Sequence, residues 1–336
     1  MNRTLTILIL LLISFWTVAQ NNQTLTRIGF GSCSNQDSTA QLWPEILDQK
    51  PQLWIWLGDI IYGDTHDMTV LRAKYDHQKR NSDYQQLMKM CAVLGTWDDH
   101  DYGQNDGGKF FSKKNESKKE LLRFLEGKPD DPIQKHPGVY SSHLYGTGRQ
   151  KIKIILLDTR AFRDTTFRSK KPGRRYDPNP DGDILGEEQW AWFEQELKNS
   201  DAAIHIIGSS IQFISNDHGY EKWGNFPKSR QRMLDVLVKH KTNRPIIISG
   251  DRHMAEISKM AVPGLPSPIY DFTSSGLTHT WSSKIATEEN QYRISKLVIE
   301  KNFGMLLIDW SSNEPTITFE IRGKSKTPFD TPMVVN

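Results

Sequence analysis

Cysteine is scarce: 336 residues hold only Cys33 and Cys91. An oxidising compartment would allow a disulfide between them, but a chain this long does not need one, which leaves room for a thiolate with chemistry to do. An excess of one charge is missing too. Forty-three Lys and Arg against 40 Asp and Glu leave +3, too little to argue for nucleic acid or an anionic membrane as partner. No Gly-x-Ser-x-Gly elbow appears, which argues against a serine nucleophile, and no Gly-x-x-x-x-Gly-Lys-Ser/Thr loop supports a nucleotide site. One apolar run stands out, Ile7 to Ile13, preceded by Arg3 and followed by Thr17-Val18-Ala19 before Gln20. It is shorter than the ~20 residues that span a bilayer, and no second run of that length follows. Residues 1–19 therefore read as a secretory signal rather than an anchor, with neither a twin-arginine pair nor a lipoprotein cysteine. The expectation is a protein exported to the periplasm or medium, monomeric and without a stable membrane anchor. No repeat, low-complexity tract or linker divides residues 24–330, which read as one domain.

What is present is a series of apolar runs, each ending in residues able to bind a ligand. Arg27 to Gly31 leads to Cys33. Leu53-Trp54-Ile55-Trp56-Leu57, continuous enough to be buried on both faces, leads to Gly58-Asp59 and Tyr62. Ala92-Val93-Leu94 precedes Asp98, Asp99, His100 and Asp101. Pro245 to Ser249 ends in Gly250-Asp251-Arg252-His253. Between these runs, helices are expected over Leu42 to Leu47, 68–91, Glu120 to Leu125, Leu185 to Leu197 and from Phe226 to about His240. A β pair is expected from Tyr140 to Leu157, turning at Gly146-Thr147-Gly148. The last ~80 residues read as strands, at Ile269 to Thr273, Phe303 to Asp309 and Thr316 to Arg322. Strands alternating with helices argue for an α/β sheet whose ligands bind beyond the carboxyl ends of the strands.

A carboxylate at the tip of a central strand is costly unless paired or bound to a metal, although a helix N-cap would explain Asp59 taken alone. A thiolate, a phenolate and an imidazole suit a transition ion such as ferric iron or zinc, while oxygen donors suit Ca²⁺, Mg²⁺ or Mn²⁺. Asp59 is the natural bridge between two ions, and ions about 3.5–4 Å apart would clamp a phosphate and activate water. The long basic, Pro-rich loop at 163–186 reads as functional or mobile. Within it, Asp177, Asn179, Asp181 and Asp183 with Glu188 have EF-hand spacing. No helix leads in, so a plain turn is preferred to a calcium loop.

Gly31-Ser32-Cys33, Gly58-Asp59-Ile60-Ile61-Tyr62, Trp97-Asp98-Asp99-His100-Asp101 and Gly250-Asp251-Arg252-His253, in that order, resemble the PhoD-type alkaline phosphatases and phosphodiesterases. Those belong to the calcineurin-like metallophosphatases. The resemblance extends over about 27–310 and implies an αββα four-layer sandwich with mixed sheets, hydrolysing phosphoric esters. It implies a ferric ion held by Cys33, Asp59, Tyr62 and His253. A second ion, calcium, with zinc, manganese or magnesium as alternatives, would be held by Asp59, Asp99 and Asp251. Asp99 and His100 would be catalytic, His100 as a phosphate contact or proton donor to the leaving group. Arg160 and Arg252 are candidate phosphate clamps on charge and position, with a salt bridge as the other reading of each. Gln212 and His279 are candidates for the pocket lining. The substrate would be a small phosphate ester or a phospholipid, the second implying a phospholipase D-like phosphodiesterase on the same residues. A non-catalytic exported metal-binding protein is the rival from another class.

Overall fold

The computed structural model describes residues 19–281 and 288–335. The expected secretory signal, residues 1–19, lies outside them but for Ala19. In chain order the strands are β1 (Ala19–Asn21), β2 (Arg27–Gly31), β3 (Leu53–Leu57), β4 (Ala92–Thr96), β5 (Ser141–Tyr145), β6 (Ile152–Leu156), β7 (Phe167–Arg168) and β8 (Tyr176–Asp177). They continue with β9 (Ile204–Ser209), β10 (Pro245–Ser249), β11 (Ala255–Met260), β12 (Ile269–Ser274), β13 (Phe303–Asp309), β14 (Thr316–Arg322) and β15 (Met333–Val335). Seven strands form one sheet, ordered β1-β5-β6-β9-β10-β12-β11, and six form a second, ordered β15-β14-β13-β2-β3-β4. Both are mixed. In the larger sheet β6, β9, β10 and β12 run parallel and β11 closes it antiparallel. In the smaller, β2, β3 and β4 are parallel and β13 and β14 antiparallel.

Strand alternation sorts the side chains into layers. Leu53, Ile55 and Leu57 point between the sheets, where they meet Ile152, Ile154, Leu156, Ile206 and Ile248 in a central core. Trp54 and Trp56 point the other way, into a second core with Trp43, Leu71, Tyr75, Tyr84 and Phe124 from helices α1 (Trp43–Asp48), α2 (Met68–Arg80), α3 (Ser82–Met90) and α5 (Lys114–Phe124). Helix α4 (Asp99–Tyr102) is a single turn at the tip of β4. The outer face of the larger sheet, with Ile155, Ile207 and Ile247, is covered by Trp190 and Phe193 of α6 (Gly186–Leu197) and Met233 and Leu237 of α7 (Pro227–Lys239). The result is the expected αββα sandwich. It explains the uninterrupted apolar run of β3, since each of its faces meets a different core.

The helix expected over 68–91 is two helices. Asn81, at ψ 123°, turns the chain, and its side chain accepts from Asp83 N and Tyr84 N at 3.0 and 3.1 Å, capping α3. Strand β11 is a further addition, its Ala-Glu-Ile-Ser-Lys-Met too short and mixed to stand out in the sequence.

Candidate metal centre

Strands β2, β3, β4 and β10 run toward one edge of the sandwich, and each releases its polar residues there. The backbone bends sharply at the tips. Cys33, Asp59, Asp251 and His253 all have left-handed φ, at 59°, 49°, 69° and 52°. For residues with a Cβ this costs about 1–3 kcal/mol each and persists only where the surroundings impose it. Gly58 and Gly250 let the tips converge. A Cβ on Gly58 (φ 86°) would lie 2.3 Å from Asp98 N, and one on Gly250 would lie 2.7 Å from Leu57 O and Ser32 Oγ. Asp101 ties two tips together, its carboxylate accepting from Asp98 N at 2.6 Å and from Asp59 N and Ile60 N at 3.2 Å each.

The donor atoms of Cys33, Asp59 and His253 lie within 4.8 Å of one another, as do those of Asp59, Asp99 and His100, and those of Asp98, Asp99 and Asp251. Cys33 Sγ is 3.4 Å from Asp59 Oδ2. Tyr62 Oη joins the first set at 3.1 Å from His253 Nε2 and also meets His279 Nε2 at 3.0 Å. Asp99 Oδ2 accepts from Asp106 N at 2.6 Å, while its Oδ1 is buried without a hydrogen-bond partner. His100 donates or accepts at Nδ1 with Asp64 Oδ2 at 2.7 Å, and its Nε2 lies 3.4 Å from Asn105 Nδ2. These groups open into a cavity of about 100 Å³, also lined by Asp106, Arg175, Tyr220, Glu221, Arg252 and Trp281. A larger cavity of about 160 Å³, walled by Val93, Leu94, Leu122, Leu125, Ile133 and Trp192, lies away from these donors and is mainly apolar.

Electrostatics separates this set from ordinary ion pairs. Burial, reinforced by neighbouring carboxylates, pushes Asp59 and Asp251 well above the usual range. Burial and Asp59 do the same to the Cys33 thiol, and burial and Cys33 to the Tyr62 phenol. Burial and the neighbouring His279 and His100 push His253 down to about 3. Burial opposes protonation of His100 as well, but Asp59, Asp64 and Asp99 outweigh it and raise it to about 11. The bare protein thus resists the ionised forms of Cys33, Tyr62, Asp59 and Asp251 that bound cations would favour, while leaving His253 neutral; Asp99 differs, held below the usual range against burial by Arg160 and His100. Together with the orphaned Asp99 Oδ1, this donor set fits two cations that share Asp59.

Two sequence-derived roles change. Arg160 is fully buried: its Nε donates to Asp98 Oδ1 at 2.6 Å and its Nη1 to Glu221 Oε2 at 2.6 Å, so it braces the cavity from behind and cannot clamp a substrate. Arg252 does line the cavity, but its Nη2 is already held by Glu288 at 2.7 and 2.9 Å, and its guanidinium lies 4.6 Å from the Tyr220 ring. Asp98 is Arg160's counter-ion. Gln212 is buried on Glu256 and Thr273, whereas His279 reaches the site through Tyr62. The acidic residues of 177–188 disperse: Asp177 toward Arg174, Asp181 to Lys228, Asp183 to Ser229 and Trp190, Glu188 to Tyr140. They lie on strand β8, the loop after it and helix α6, and their carboxylates do not converge. Cys33 and Cys91 are both free thiols. The sequence reading missed Glu221 and Tyr220. The only signal for them was a polar stretch just before Trp223.

The fold and this donor set define a metallophosphatase-like protein. Residues 28–319 match the PhoD-like phosphatase family, and the chain belongs to that family. Alkaline phosphatase D of Bacillus subtilis (strain 168) is 23% identical over 277 residues, covering 69% of this chain and 46% of that protein, so the chain spans less than half of that relative. Among solved structures, PhoD superposes with a TM-score of 0.69 at 17% identity, covering 95% of this chain and 69% of that one. GAP50, described as the anchor in the inner membrane complex of Plasmodium, gives 0.58 at 13% identity, covering 94% and 90%. A dimetal phosphatase from Danio rerio gives 0.51 at 12%, covering 92% and 99%. At such identities these three structures establish the shared fold alone.

Proposed function

We propose that this chain is an exported, metal-dependent hydrolase of phosphoric esters. The observation that carries the reading is that Asp59, Asp99, Asp251 and His253 line one cavity with the Cys33 thiol close to Asp59 and His253, with strained backbone at Cys33, Asp59, Asp251 and His253 and Asp99 Oδ1 buried without a partner. In this reading Cys33, Asp59, Tyr62 and His253 hold a ferric ion. Asp59, Asp99 and Asp251 hold a second ion, taken as calcium, with zinc, manganese or magnesium as alternatives. When bound, two such ions would supply charge neutralisation at the phosphate and a water acidified enough to attack it.

The chain's own residues do the rest. Asp59 would lie between the two ions and offset charge on both, and the loops braced by Asp101 hold the two halves of the site together. His100, held by Asp64 through Nδ1, turns Nε2 toward the cavity, where in its protonated form it donates a proton to the leaving oxygen or a hydrogen bond to the phosphate. Arg252 offers a cation at the rim. The expected leader supports export; among the described residues no helix is long and apolar enough to cross a membrane.

The test is hydrolysis of a chromogenic monoester and the matching diester by protein purified without chelator, with added Ca²⁺ and after metal stripping. Turnover should vanish on stripping and return with iron and calcium. Full activity in a sample shown to be metal-free would sink the reading. The monoester-to-diester ratio separates phosphatase from phosphodiesterase. Inactivity of metal-replete protein on these and on phospholipid would favour the non-catalytic alternative.

A further inference from the structure

Two imidazoles meet Tyr62 Oη. His253, one of the proposed ligands, has Nε2 3.1 Å away, and His279 has Nε2 3.0 Å away. His279 ends the segment 276–279, which follows β12 and is tied to the tip of β2. Leu277 N donates to Ser32 O at 3.3 Å, Asn302 N donates to Gly276 O at 2.9 Å, and a Cβ on Gly31 would lie 3.2 Å from the Leu277 side chain. Thr278 sets the state of the ring beside it. Its Oγ1 is 3.1 Å from Cys33 O, 2.9 Å from Asn35 N and 2.9 Å from His279 Nδ1. A carbonyl only accepts and a backbone N–H only donates, so the one hydroxyl proton goes to Cys33 O and Asn35 N fills one lone pair. His279 Nδ1 therefore donates to the other.

The consequence reaches Tyr62. Burial, aided by His100 and Lys301, lowers the His279 pKa and favours the neutral ring. A neutral ring protonated at Nδ1 carries a lone pair at Nε2. That lone pair faces Tyr62 Oη, so the phenol proton is donated to His279. The Cys33 thiol also neighbours the phenol, but sulfur is a weak acceptor and does not compete for this proton. Tyr62 Oη is then left with a lone pair toward His253, whose donor atom lies within 4.8 Å of those of Cys33 and Asp59. The other ties on Tyr62 act away from the oxygen: its backbone N donates to Gln36 Oε1 at 2.9 Å, and its ring lies 4.2 Å from the His100 ring. We propose that His279 is a positioning residue for Tyr62: seated by Thr278 on the Cys33 carbonyl, it holds the phenol oxygen at the edge of the donor set with a lone pair open to a cation. One threonine thereby couples the thiol-bearing tip of β2 to the phenol that follows β3. This rests on the reading above that Tyr62 is a cation ligand.

The test is made on the iron-loaded full chain, through its tyrosinate-to-ferric absorption band and its iron affinity in competition with nitrilotriacetate. The parent is compared with His279→Ala, His279→Gln and Tyr62→Phe. His279→Ala should shift the band and weaken iron binding about tenfold, the size expected for losing a partner that orients a ligand. His279→Gln, whose amide oxygen can accept from the phenol, should restore both. An unshifted band with unchanged affinity in His279→Ala would overturn the positioning role. Loss of all iron in that variant would overturn it too, by making His279 a ligand. Tyr62→Phe separates this role from the reading beneath it. A colourless ferric parent, or a band that survives Tyr62→Phe, would remove Tyr62 from the ligands, and both would fall. A band that Tyr62→Phe abolishes and His279→Ala leaves untouched would sink the positioning role alone.

Discussion

Two buried charge clusters share the edge of the sandwich. In one, Asp98 and Glu221 face Arg160 and Arg163, so that two acids meet two guanidinium groups at 2.6 to 3.1 Å. In the other, Asp59, Asp99 and Asp251 form no ion pair with Lys, Arg or His among the described residues; against burial, Arg160 and His100 still hold Asp99 below the usual carboxylate range, whereas burial and neighbouring carboxylates push Asp59 and Asp251 well above it. The first cluster is compensated by the protein itself and is structural. The second is left short of positive charge and costs stability unless cations complete it. Burial alone does not separate the two, because both are shielded from water. The available counter-charge does.

This comparison can be broken at several points. The largest effect is expected from Asp59→Asn, which removes a carboxylate shared by both proposed ions: turnover should fall to background and bound metal should drop. In chelator the same variant should melt no lower than the parent, since it relieves repulsion. A large loss of stability there would assign Asp59 to the structural cluster. Arg160→Met should act in the opposite sense, stranding Asp98 and Glu221 and costing about 3–5 kcal/mol in urea unfolding with or without metal. A small change would dissolve the distinction.

A third kind of buried ionisable group sharpens it. His205 is neutral and saturated, bonding to Asn243 O at 2.8 Å and Ser200 Oγ at 2.9 Å, and burial pushes it down to about 4. The unfolded chain, with an ordinary value near 6.5, therefore binds a proton that the folded chain refuses. Stability from this group should be intact above pH ~6.5 and fall as the pH drops toward about 4, by up to about 3 kcal/mol. Urea midpoints at neutral and acidic pH should show it, and His205→Gln should flatten that slope. The smallest effect is expected at His100. His100→Ala should lower kcat about a hundredfold with metal content unchanged. Equal losses of both would make His100 a ligand or a brace.

Much of the fold was readable in the order of residues. The apolar run of β3 marked a doubly buried strand, and the run ending at Ser249 marked β10; which face Trp54, Ile55 and Trp56 each took was seen only in the structure. The site was readable for the same reason: a polar residue after such a run must emerge at a sheet edge, so Cys33, Asp59, Asp99 and Asp251 pointed to one place. Between the two readings of Arg160, phosphate clamp and salt bridge, the sequence could not choose, because a strand-tip arginine looks the same whether it faces substrate or a buried partner; the structure shows the salt bridge. Its partner Glu221 lies 61 residues away. The break at Asn81 was missed because it falls in the polar stretch 76–83, where no apolar residue marks the phase of the helix, and the side chain that ends one helix and caps the next is a local event.

The sequence by itself determined which residues would be buried, which would sit at strand ends, and that acids, a thiol and imidazoles would gather there, since these follow from periodicity and the cost of burying charge. The tertiary structure alone decided which acids received an arginine and which did not. It also seated the basic β7–β8 hairpin on Gly219, beside Tyr220 of the cavity wall. Both outcomes depend on contacts between residues far apart in the chain, set by how two sheets and their connecting loops pack.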